Sequence, residues 1–269
     1  MINSKSNNPK LLEILPEGMS VGIKWLNSHG FNRQDADYYL RSGALVAIKR
    51  GLYCRPGVAI KWEGLVHSLA EMGFDVHIGG EQALVEQGVS HFISMSKVQT
   101  VHLFSAQILP KWLSHWQCNT ADELFCLVVH RQTWLAELNA QFFSRRSYGL
   151  HDWMIRFAQA ELAVFEYLFE CKTEIEFQQM DRWFESLSSL SPTKLQHLLT
   201  LCPNVKTKRL FGWFTYRHNH AWAKHLDWDK VDIGKGKRSI IKGGSFDKRW
   251  QITVPRKMEV QDGSEQSIF

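Results

Sequence analysis

The sequence predicts an α+β protein, an N-terminal winged helix-turn-helix followed by a mixed α/β C-terminal domain. Three observations predict it. Between Gly18 and Gly57 two short amphipathic segments separated by Gly30 lead into a basic hairpin. Beyond His91, alternating β-branched runs give way to apolar residues at helical spacing. Charge is also segregated: residues 1–57 carry eight cations against four acids, 58–201 ten against sixteen, and 202–257 fourteen against four.

Each element has its own signals. Leu11, Leu12, Ile14 and Leu15 predict a short helix within residues 4–15, ended by Pro16-Glu17-Gly18. Ser20 is expected to N-cap a helix bearing Val21, Ile23, Trp25 and Leu26, with Gly30 as its left-handed C′ residue. Asn32 and Asp35 form a capping box for a second helix, Arg33 to Ser42, which stops at Gly43. Its apolar positions are Ala36, Tyr39 and Leu40. Leu45 to Ile48 and Leu52 to Arg55 are strands joined by Lys49-Arg50-Gly51. Helices follow at Trp62–Gly73 and after Gly79-Gly80, with a short strand at Asp75–Ile78 between them.

In the second half, Val98–Phe104 and Glu123–His130 read as strands, the latter apolar enough to be central and buried on both faces. From Asp152 the pattern reads as helical, through Trp153, Ile155 and Phe157 and on to Phe169. Glu174–Leu187 continues the helical pattern. Ser191-Pro192 is an N-cap and N1 pair for a helix broken at Cys202-Pro203-Asn204. A basic helix begins near Val205, and a closing strand runs from Trp250 to Pro255. The expected domains are 1–93, with a minimal module at 8–57, then 94–257, and a flexible tail at 258–269.

Composition narrows the function. The chain has 44% hydrophobic and 22% charged residues, the balance of a folded protein. No apolar run reaches about eighteen residues, so no membrane span is expected. The polar N-terminus lacks a signal peptide's apolar region, which predicts a cytoplasmic protein. Five cysteines without C-x-x-C spacing read as reduced, mostly buried thiols. Gly234-x-Gly236-Lys237 lacks the spacing of a phosphate-binding P-loop. His218, His220, His225 and Cys202 do not match a zinc pattern. Glu161, Glu166 and Glu170 read as a solvated helix face. No nucleophile–base arrangement is present, so an enzyme is not expected, and neither are a cofactor, a metal or catalytic residues.

Two candidate surfaces remain. On the second helix, Arg33, Gln34, Tyr38 and Arg41 lie opposite the apolar side, where Arg and Gln suit bidentate contacts to guanine and adenine. Lys49, Arg50 and Arg55 on the wing are candidates for DNA phosphates. The basic C-terminal third offers Lys206, Lys208, Arg209, Lys235, Lys237, Arg238 and Lys242 as an anion-facing surface, toward an RNA or an acidic protein.

These stretches resemble the AbiEi antitoxin family, the transcription-regulator half of bacterial type IV (abortive-infection) toxin–antitoxin pairs. The resemblance rests on the bend Arg41-Ser42-Gly43-Ala44-Leu45 with the wing Lys49 to Tyr53, and on the helix Ala160 to Glu166. It rests most specifically on the ending Lys208-Arg209-Leu210-Phe211, Ile233 to Arg238, Lys242-Gly243-Gly244 and Ile252 to Pro255. It spans about residues 8 to 256 and departs at Trp213 to Arg217, where the family tends to have a small alanine-rich helix. It implies an N-terminal module that binds inverted repeats in double-stranded DNA upstream of its own operon and represses it. It also implies a C-terminal antitoxin domain that counteracts a cognate nucleotidyltransferase toxin, either directly or through that toxin's RNA substrate. The competing readings are a stand-alone winged-helix regulator and an RNA-binding protein that uses the basic C-terminal third.

Overall fold

In the computed structural model, the residues described are 8–89, 98–113, 116–119, 124–149 and 151–258. The chain packs as two compact units, Met1–Ile78 with Ser94–Phe157 and Gly79–Ile93 with Ala158–Phe269. Helices and sheets are both present, and the class is mixed α+β. The expected boundary at 93/94, the first residues of the N-terminal helix and the tail after Met258 lie outside the described residues.

The first unit opens with α1 (Asn8–Ile14), which buries Leu11 and is followed by buried Leu15. Next come β1 (Ser20–Gly22), α2 (Ile23–Ser28), α3 (Arg33–Arg41), β2 (Val46–Lys49) and β3 (Leu52–Cys54). Ser20 is not a helix cap. It pairs with Cys54 in a three-stranded sheet of order β1-β3-β2, and its N–H donates to Ser68 Oγ at 2.8 Å. The helix starts three residues later, behind Gly22. At its other end Gly30 takes φ +87°, the left-handed conformation that terminates α2. The capping box on α3 forms as expected: Asn32 Oδ1 accepts from the N–H groups of Gln34 and Asp35, and Asp35 Oδ2 accepts from the N–H of Asn32. Helix α4 (Trp62–Glu71) follows, then β4 (His77–Ile78). An added Cβ at Gly64 in α4 would collide with the Gly18 carbonyl and the Trp153 ring, so close approach requires glycine there.

The same unit holds a larger sheet. Strands β5 (Val98–Ser105), β6 (Gln117–Asn119), β7 (Leu124–Arg131), β8 (Phe143–Tyr148) and β9 (Trp153–Ala158) join β4 in the order β6-β7-β5-β4-β9-β8. Strands β5 and β7 pair in parallel along their whole length. Strand β7 is flanked on both sides, yet neither face is fully closed: Phe125 and Leu127 are buried beside half-buried Val129 on one, and His130 is buried beside half-buried Cys126 and Val128 on the other. The expectation of burial on both faces is therefore corrected. So is the helical reading of Trp153, Ile155 and Phe157. They are spaced by two, all buried, and alternate with exposed Met154 and half-exposed Arg156, which is strand periodicity.

The second unit contains α5 (Gly80–Glu86), α6 (Ala160–Glu170), α7 (Glu174–Ser186), α8 (Pro192–Leu201), α9 (Val205–His218) and the short pair β10 (Ser245–Asp247) and β11 (Ile252–Val254). Thr173 and Glu176 make a capping box on α7, Ser191 caps α8 ahead of Pro192, and Asn204 caps α9. Phe165, Phe177, Phe184, Phe211, Trp213 and Phe214 are each essentially buried and form a network of ring contacts. Each such side chain stabilises the fold by about 1.5–3 kcal/mol on burial. Cys54, Cys171 and Cys202 are buried free thiols, and burial raises the pKa of all three, that of Cys171 to about 12.

Glu161 and Glu166 are not part of a solvated face. They are 7% and 1% exposed. Glu166 Oε2 accepts from the N–H of Gly80, the first residue of α5, at 3.2 Å. Glu161 Oε1 accepts from the N–H of Ser191 at 2.9 Å, at the start of α8, with Lys194 Nζ 3.7 Å from its other oxygen. Each carboxylate therefore sits at the positive end of another helix, which compensates its burial. Glu170 is half-buried and pairs with Lys172.

Candidate nucleic-acid interface

The amphipathicity of α3 positions the first site. Ala36 and Tyr39 are 2% exposed, and Tyr39 meets the Phe31 ring edge-on at 5.9 Å. Burial, with a lesser contribution from Asp35, raises the Tyr39 pKa. With that stripe turned inward, the 3.6-residue period places Arg33, Gln34, Asp37, Tyr38 and Arg41 outside, and all five are exposed. Tyr38 retains 58% of its surface. Leu40, expected on the apolar side, is only half-buried. The face therefore presents two guanidinium groups, an amide and a phenol around one carboxylate. Asp35 is held in the capping box.

The hairpin behind α3 divides its cations. Arg50 is exposed at the turn beside Gly51, whose φ is +77°. Lys49 and Arg55 do not belong to that exposed set. Lys49 Nζ donates to the Trp112 carbonyl at 3.0 Å and lies 4.8 Å from the centre of the Trp116 ring. Arg55 donates to the Leu12 carbonyl and to Glu17 Oε1, each at 3.2 Å. Both are half-buried and tied within the unit, which leaves Arg50 as the exposed cation of the three.

The basic C-terminal third divides more sharply. Arg209 is 1% exposed. Its Nε donates to the Ile233 carbonyl at 2.7 Å, Nη1 to those of Gly236 (2.6 Å) and Gln251 (3.2 Å), and Nη2 to that of Gly234 (3.0 Å). Among the described residues no carboxylate lies within ion-pair distance, and burial lowers its pKa, with Arg238 adding repulsion. Lys208 is 4% exposed. Lys206 Nζ donates to the Phe169 carbonyl at 2.9 Å in the last turn of α6, and desolvation lowers its pKa. The surface reading is thus corrected for Lys206, Lys208 and Arg209, which α9 carries into the unit. Lys235, Lys237, Arg238 and Lys242 are exposed on the loop that Arg209 gathers. In that loop carbonyls converge on a cation, the opposite polarity to a phosphate cradle, whose N–H groups converge on an anion.

Two of the histidines set aside as zinc ligands, His218 and His220, have other partners. His218 Nε2 lies 2.7 Å from Asp181 Oδ1, which also accepts from Arg217 Nε at 2.8 Å, and His220 Nε2 lies 2.6 Å from the Phe184 carbonyl. Burial alone would raise the Asp181 pKa, but hydrogen bonds from His218 and Arg217 outweigh it and hold the carboxyl below its ordinary value. No group of three potential metal ligands exists among the described residues. Nor is any helix among them long and apolar enough to cross a membrane.

Two family models match the chain. Residues 4–95 match the N-terminal domain of the AbiEi antitoxin transcriptional regulators, and residues 98–255 match the transcriptional regulator, AbiEi antitoxin, of type IV toxin–antitoxin systems. The chain belongs to the AbiEi antitoxin family. That family consists of regulators and antitoxins rather than a known class of enzymes. No curated protein matches the chain in sequence. Its fold is similar to that in the crystal structure of the RV2827C protein from Mycobacterium tuberculosis, with a TM-score of 0.57 at 16% identity over 92% of this chain and 89% of that one.

Proposed function

We propose that the chain is the antitoxin and transcriptional autorepressor of a type IV toxin–antitoxin operon. Its N-terminal winged helix-turn-helix would bind inverted repeats in its own promoter, and its C-terminal domain would counteract a nucleotidyltransferase toxin. One observation carries the DNA reading: α3 buries Ala36 and Tyr39 and leaves Arg33, Gln34, Tyr38 and Arg41 exposed on one face. A helix presented in this way fits a major groove, with Arg33 and Arg41 suited to guanine and Gln34 to adenine. Arg50, exposed at the hairpin turn, supplies a phosphate contact that positions without specifying. Lys49 and Arg55 support this from behind by fixing the hairpin and α1. Inverted repeats imply two copies of the module, one on each half-site.

Titration of a labelled promoter duplex at several salt concentrations tests the reading. Arg50→Ala should flatten the salt slope of log affinity by about one unit. Gln34→Ala should lower discrimination against a substituted half-site by about 1–3 kcal/mol. Unchanged slope and discrimination would remove this face from the DNA. For the antitoxin role, co-expression with a nucleotidyltransferase toxin from the same operon should restore growth, and absence of such a gene or continued growth arrest would refute it.

A further inference from the structure

Arg209 turns a flexible-looking sequence into a defined surface. Three of its carbonyl contacts close the loop Ile233–Gly236 and the fourth ties it to Gln251, whose carbonyl also accepts from the N–H of Arg238, while the Arg238 carbonyl accepts from the N–H of Thr253. The loop is thus laid against β11, whose other edge pairs with β10. Ile252 and Val254 point into the unit, and Phe246, in register with Thr253, points away from it.

The 23 residues from Lys235 to Lys257 hold eight lysines and arginines against one acid, Asp247. All eight cations are exposed, and none makes an ion pair with a described residue. Asp247, whose Oδ1 accepts from the N–H of Trp250 at 2.8 Å, offsets one of the eight and leaves the stretch at +7. Such a face favours an anionic partner. Two partly open rings narrow the class. Phe246 is 36% exposed with Lys237 Nζ 5.1 Å from its ring centre, and Tyr216 is 41% exposed with the Arg249 guanidinium at 4.4 Å.

From this arrangement we propose that the face spanning Lys237, Arg238, Lys242, Phe246, Arg249 and Tyr216 binds single-stranded RNA. The cations would track the phosphodiester backbone, and the rings would stack on unpaired bases. An acidic protein surface would satisfy the charge but would leave the rings without a role. A duplex keeps its bases stacked inside and cannot offer them to Phe246 or Tyr216. RNA is the single strand that a cell presents in quantity. The inference is independent of the promoter reading, which concerns α3 and the hairpin in the other unit.

The test uses the full chain and a labelled, unstructured RNA 20-mer unrelated to the promoter, titrated by fluorescence anisotropy across a salt series. Lys237→Ala with Arg238→Ala should flatten the salt slope by about 1.4 units, from about 0.7 per phosphate contact on a single strand. Phe246→Ala should weaken RNA binding about tenfold with the slope unchanged, because stacking releases no counterion. If Phe246→Ala lowers the melting temperature, Phe246→Leu retains the apolar contact and loses only the stacking. Promoter-duplex binding, measured on the same preparations, should not change in any of these variants. The proposal is overturned if RNA affinity is the same in the cation and ring variants. It is also overturned if polyglutamate of equal charge displaces the RNA as well as unlabelled RNA does. Loss of promoter binding with RNA binding retained would strike the other reading instead.

Discussion

Both ends of the chain are basic, yet they spend their cations differently. At the amino end, α3 is held by an apolar stripe and a local cap, so Arg33 and Arg41 have no scaffold duty and stay outside. Among the described cations there, Lys49 and Arg55 are drawn into ties. At the carboxyl end, the loop from Ile233 to Gly236 has little apolar content, so a buried cation organises it. Arg209 occupies the place a hydrophobic plug would fill elsewhere and satisfies four carbonyls at once. A high density of lysine and arginine can therefore mark a ligand surface, or an internal frame that holds such a surface in shape.

This contrast can be broken most directly at Arg209. Arg209→Met keeps the side-chain volume and removes every donor, so the part-buried carbonyls of Ile233, Gly234 and Gly236 lose their guanidinium partner while that of Gln251 keeps the Arg238 N–H. We expect a loss of about 1.5–3 kcal/mol in chemical denaturation. A change within 0.5 kcal/mol, of the size expected for Lys235→Ala, would mean that the loop does not depend on its buried guanidinium. The counterpart at the amino end is smaller. Asn32→Ala removes one local cap from α3 and should cost about 1 kcal/mol, read from the same denaturation curves. The smallest effect sharpens the division within the hairpin. Lys49→Ala should lower stability slightly and leave the salt slope of promoter binding unchanged, whereas Arg50→Ala should do the reverse. Equal slopes in the two variants would erase the distinction between tie and contact.

Legibility followed sequence distance. The cap at Asn32 and Asp35, the stop at Gly30 and the Ser191-Pro192 start could be read because each partner lies within four residues. The caps supplied by Glu166 and Glu161 could not, since their partners Gly80 and Ser191 are 86 and 30 residues away. Strand β9 was partly readable. Its period-two burial is present in Trp153, Ile155 and Phe157, but the helix that follows at once masked it. On α3 the exposed candidates followed from helical period alone. In the basic third, nothing in the sequence separates Arg209 from Arg238.

By itself, then, the sequence determined the local grammar: where helices begin and stop, which side of α3 is apolar, and that both ends are rich in positive charge. Those properties depend on neighbours within one or two turns. The tertiary structure alone decided which cations are buried, which carboxylates serve distant helix ends, and which positions of β7 are covered. Those outcomes depend on desolvation and on partners brought together only when the chain packs.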